Sequence, residues 1–298
     1  MRRWWTAAAA AASEVADRPT LWLPGALAWS VGVGWIALLV GVARPPSQAE
    51  LTFLGARTFT SGAWPWNALL LGTVTLALCL AAFGLAAAGE AAILRGRRAR
   101  VSDVARIWLL GISCAAPAAV GIVILGLAVV LVAPVEFNAP DEGIDPVART
   151  ALRLAPVLIG IAIAAAGGAA VHAAAARDAV NGSSFDRALR SSVPTLTRAG
   201  RAAVIQIVAL LVARVVYLVL AAMLLRVLWE PIRERLASAG IDPAVALLLV
   251  GFVAIWLCLV LGGGALHAWS SVSWSRVVVV ADDNSGRSRQ RMETSTGQ

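Results

Sequence analysis

Six apolar runs, each at least as long as the roughly 20 residues that cross the hydrocarbon core of a bilayer, leave this chain little choice of fold. They cover residues 21–42, 58–89, 107–135, 154–176, 202–225 and 243–275, and Arg214 is the one arginine inside any of them. Hydrophobic residues make up 59% of the 298 and charged residues 14%, so the apolar surface exceeds what a soluble fold of this length can hide. The class predicted is all-α: a polytopic membrane protein of six transmembrane helices.

The basic residues are all arginine, and they fall mostly in alternate gaps between the runs. One set of gaps holds 17, among them Arg95, Arg97, Arg98, Arg100 and Arg106, then Arg177, Arg187, Arg190, Arg198 and Arg201. The other set holds 7: Arg44, Arg57, Arg149, Arg153, Arg226, Arg233 and Arg235. The arginine-rich side of a membrane protein stays in the cytoplasm. Both termini are therefore expected inside, and the acidic cluster Glu136, Asp141, Glu142 and Asp145 outside. The net charge of +8 then reflects helix flanks rather than a nucleic-acid surface, and no nucleic-acid partner is expected.

Residues 1–20 read as an amphipathic helix lying in the membrane plane, since the alanine run after Arg2 and Arg3 is too short and too weakly apolar for a cleaved signal peptide. Trp4, Trp5, Trp22, Trp108, Trp269 and Trp274 would mark the inner interface, and Trp64, Trp66 and Trp229 the outer one. Residues 21–280 form the transmembrane domain, and 281–298, polar and rich in Ser, Gly and Arg, a disordered cytoplasmic tail. Cys79, Cys114 and Cys258 all lie within spans and read as packing residues; no spacing of Cys and His resembles a metal site.

Internal similarity suggests three repeats of an in-plane helix, an outward span and an inward span. Gly143-Ile144-Asp145-Pro146 and Gly240-Ile241-Asp242-Pro243 each pair an N-cap aspartate with proline at the first helical position. Each helix that follows acquires glycines and then a histidine: Gly167, Gly168 and His172 in one, Gly262, Gly263, Gly264 and His267 in the other. The second span ends comparably in Gly84, Gly89 and Glu90. A short helix is expected in each arginine-rich connection, at Ser102-Asp103-Val104-Ala105-Arg106 and at Ser184-Phe185-Asp186-Arg187-Ala188.

The segment Ser184-Phe185-Asp186-Arg187-Ala188-Leu189-Arg190-Ser191-Ser192, between an alanine-rich helix and a new span, resembles the repeated cytoplasmic segment of the six-helix membrane domain attached to some bacterial glycerophosphodiester phosphodiesterases and of its stand-alone relatives. Asp17-Arg18-Pro19-Thr20-Leu21-Trp22-Leu23-Pro24 resembles the entry to the first span of such proteins. In layout the resemblance covers about residues 1–280, and it implies a bacterial cytoplasmic-membrane protein. In that family a separate soluble domain carries the phosphodiester chemistry, so no such activity is expected of this chain.

Two groups of residues stand out as candidate sites. Arg214 lies 13 residues past Arg201 and 12 before Arg226, near mid-membrane, with Gln206 and Tyr217 on the same helical face. The three could bind an anion or a lipid phosphate; Thr73 and Thr75, carbonyls or water are the other candidate partners for the guanidinium, because no Asp or Glu sits at the middle of a span. Glu90, His172 and His267 share a depth near the inner ends of their helices and could form a polar cluster or, with glycines beside them, hold a haem or other pigment. The absence of nucleophile, metalloprotease and phosphate-loop motifs argues against an enzyme, and no cofactor is assigned. The expected role is a non-enzymatic scaffold, assembly factor or accessory subunit, with membrane lipids and other membrane-protein subunits as partners. The alternatives are a permease subunit of an ATP-driven exporter and a pigment- or haem-binding subunit.

Overall fold

The computed structural model describes residues 2–31, 34–39, 42, 62–96, 99–137, 146–239 and 242–296, and no strand occurs among them. In chain order the helices are α1 (Arg2–Asp17), a 3-10 turn (Pro19–Leu21), α2 (Trp22–Val31), α3 (Gly34–Leu39), α4 (Trp66–Arg95), α5 (Val101–Phe137), α6 (Pro146–Val180), α7 (Phe185–Ala199), α8 (Arg201–Ala239) and α9 (Pro243–Thr296). Five of them, α4, α5, α6, α8 and α9, are long and apolar enough to cross a membrane. The run at 21–42 forms the shorter pieces α2 and α3, and its residues 32–33 and 40–41 lie outside the described residues.

The helix starts follow the local chemistry. Pro146 opens α6 and Pro243 opens α9. Asp242 Oδ1 accepts from the Val245 amide at 2.6 Å, the cap expected of that aspartate, whereas Asp145 lies outside the described residues. The two arginine-rich connections differ. Ser184–Ser192 falls in a separate helix, α7, which ends at Gly200 with φ of 45° before α8 begins. Residues 102–106, expected to make a short helix of their own, are the start of α5, because no proline or glycine interrupts the chain before Gly111. Likewise α9 continues as helix through Thr296, across most of the tail expected to be disordered; no proline follows Pro243 to stop it.

The chain divides into two compact units, residues 1–105 with 208–276 and residues 106–207 with 277–298. In the first unit α2 wedges between α4 and α9. A side chain at Gly89 would strike the Pro24 carbonyl, one at Gly25 the Gly264 carbonyl, and one at Gly264 the Trp22 carbonyl and the Ala26 amide. Here the glycines set how closely three helices approach. Helix α1 is strapped to the same unit: Trp22 Nε1 donates to the Val15 carbonyl at 3.0 Å, Trp269 Nε1 to the Ala8 carbonyl at 3.1 Å, and Arg276 pairs with Glu14 at 2.7 Å. Ala11, Val15, Leu21 and Ile93 bury the apolar side of that contact.

In the second unit α5 and α6 meet at Gly168, whose missing side chain leaves room for the Cys114 carbonyl. Leu110, Ala175, Ala179 and Ala188 form a core joining α5, α6 and α7, and Arg106 donates to the Ala179 carbonyl at 3.2 Å. All three cysteines are free thiols.

Candidate functional site

Glu90 and His267 face one another inside the first unit because the glycines beside them draw their helices together. Glu90 follows Gly89, the contact point of α4 on α2, and His267 lies three residues past Gly264, the contact point of α9 on α2. His267 Nε2 is 2.9 Å from Glu90 Oε2, and Ser271 Oγ donates to the same oxygen at 2.8 Å while also lying 3.2 Å from the His267 carbonyl. Glu90 is only 7% exposed. A buried carboxylate needs such donors, since removing its hydration without replacing it is costly. With Glu90 ionised, the geometry places the His267 proton on Nε2.

Arg214 of α8 belongs to the same cluster. Its Nη2 donates to Ser270 Oγ at a long 3.5 Å, next to the Ser271 that donates to Glu90. The long stem reaches toward the end of the span where Ser270 lies. Its Nε is buried and makes no hydrogen bond among the described residues. Thr73, a candidate partner for Arg214, donates instead to the Leu69 carbonyl of its own helix at 2.7 Å.

The other predicted site residues lie elsewhere. The Tyr217 hydroxyl donates to the Leu259 carbonyl, and its ring stands edge-on to Trp29 with centroids 6.2 Å apart. Gln206 is fully buried and His172 is half-buried; both belong to the second unit. The two groups drawn from the sequence are thus rearranged, with Arg214, Glu90 and His267 in one cluster that Ser270 and Ser271 complete. The serines are what sequence reasoning missed. Their signal was present: Ser270 and Ser271 lie three and four residues past His267, on its helical face.

Two further ion clusters tie helix ends together. Arg95, in the last turn of α4, pairs with Asp103, in the first turn of α5, and each charge also suits the dipole of its own helix. In the second unit Glu136, expected with its acidic neighbours on the outer side, is 2% exposed; Arg153 pairs with it, and Arg149 lies 3.4 Å from its carboxylate and donates to its carbonyl at 2.9 Å. The expected neighbours Asp141, Glu142 and Asp145 lie outside the described residues. Among the described residues no group of three or more His, Cys, Asp or Glu could hold a metal ion. Comparison with protein-family profiles, curated proteins and solved structures gives no match.

Proposed function

We propose that this chain is a non-enzymatic multi-pass protein of the bacterial cytoplasmic membrane that serves as a scaffold, assembly factor or accessory subunit for other membrane proteins. In this reading α2 and α3 together make the first of six spans, hairpins repeat three times, and both termini are cytoplasmic. It also keeps the resemblance to the membrane domain of the glycerophosphodiester phosphodiesterases, without their chemistry.

The observation that carries the proposal is the outer half of α4. Every residue of 69–80 is exposed, so the helix is open on all its faces there rather than burying one stripe against neighbours. Leu and Val on such a surface suit lipid as well as protein. Gly72, Thr75 and Cys79 do not need lipid: spaced at i, i+3 and i+7, they put small side chains on one face, the composition that lets a second helix approach closely.

Cys79 is exposed and provides the test. In a variant with Cys114→Ala and Cys258→Ala, a bifunctional maleimide applied to native membranes should join Cys79 to a different membrane protein. Thr75→Leu should abolish that product while the chain still inserts. Recovery of the uncrosslinked chain alone, at every reagent concentration, would count against an accessory role.

A further inference from the structure

We propose that the outer face of α7 is a docking surface for the anionic headgroups of the surrounding bilayer. The helix joins the ends of two membrane-length helices, α6 and α8, so the connectivity holds it at a membrane surface. Its inner side is settled: Ala188, Ser192 and Thr195 are buried, and Ala188 packs with Leu110, Ala175 and Ala179. Ser191 on the flank donates to Asp178 at 2.6 Å, which occupies the nearest acid of α6.

The opposite side carries Arg187, Arg190 and Arg198, all exposed and within about 80° of arc at 100° per residue. Arg201, exposed just beyond the Gly200 break, extends the basic surface. Exposed Val193, 54% accessible, borders this stripe, as an apolar edge borders the basic face of a helix lying in an interface. The charge arrangement points to an anion from outside the protein. Arg95, Arg149, Arg153, Arg233 and Arg276 each pair with an acid of this chain, and no such pairing engages Arg187, Arg190 or Arg201 among the described residues. Guanidinium groups bind phosphate oxygens through two parallel hydrogen bonds, and a phosphatidylglycerol headgroup presents its phosphate at the depth of an interfacial helix.

The full-length protein should be reconstituted in nanodiscs of phosphatidylcholine alone and of phosphatidylcholine with phosphatidylglycerol. Hydrogen exchange of residues 185–199 should slow when phosphatidylglycerol is present, and 1 M salt should remove most of that protection. Native mass spectrometry should show phosphatidylglycerol retained by the wild type. Retention should fall on the order of tenfold in an Arg187→Gln, Arg190→Gln variant. A matched Arg226→Gln, Arg233→Gln variant should retain as much as wild type, which separates the α7 face from general positive charge. Equal protection in the two lipids, or equal loss in the two variants, would overturn the proposal. All four positions are exposed, so the substitutions leave the core intact.

Discussion

The Arg214 side chain shows how far a single residue's meaning depends on its neighbours. Alone in a span, a guanidinium costs roughly 2.5 to 3.5 kcal/mol on the insertion scale; an interaction with Glu90 would offset part of that. If that is the dominant interaction, removing both must cost less than the two separate losses combined. Arg214→Leu, Glu90→Gln and the double variant, unfolded by denaturant in detergent, should give a coupling energy on the order of 1 kcal/mol or more. Additive losses would leave Arg214 dependent on Ser270 or on a bound anion instead, and native mass spectrometry of Arg214→Leu would tell those apart. Adjacent glycines make a second contrast at this scale. Gly168 faces the Cys114 carbonyl and Gly167 faces nothing within 4 Å. Gly168→Ala should therefore destabilise by about 1–3 kcal/mol. Gly167→Ala should be neutral or stabilise by up to about 1 kcal/mol through helix propensity. Thermal melts of the two variants check both. In sequence the pair reads as one motif; only the position of α5 distinguishes its members.

Among the elements, α1 illustrates an amphipathic helix whose apolar side has found a protein surface. Its length and pattern were legible, since Trp4, Ala8, Ala11 and Val15 recur on one face and all are buried. What holds it was not: two indole N–H groups reach carbonyls on α1, and the one from Trp269 depends on the angle at which α9 passes. Trp269→Phe keeps an aromatic side chain and removes the indole N–H, one donor worth about 1 kcal/mol. Hydrogen exchange of the α1 amides should accelerate roughly fivefold, with exchange in α6 unchanged because α6 belongs to the other unit. A uniform acceleration would mean that the lost indole volume, not the hydrogen bond, matters. The helices at the connections carry a related lesson. Similar sequences gave a separate α7 in one place and the beginning of α5 in the other, and Gly200 is the local difference that decides it.

For the whole molecule, the arginine asymmetry yields a topology that can be tested without any structure. Single cysteines placed in 138–145 should react with an impermeant maleimide in intact cells, and those in 95–100 should not. The reverse pattern would invert the proposed orientation. Composition and run length by themselves determined that the chain is helical and that at least five helices, α4, α5, α6, α8 and α9, have membrane-spanning length. Those properties are sums over many residues, so local detail hardly alters them. Helix starts at Pro146 and Pro243 were equally legible, because a cap involves only the next few residues. The pairing of Glu90 with His267, the inclusion of Arg214 with them and the burial of Glu136 came only from tertiary structure. Residues 90 and 267 are separated by most of the chain, and what brings them together is the close approach of α2 to both helices at Gly89, Gly25 and Gly264. Run length and charge count say nothing of which faces meet; backbone contact at those glycines does.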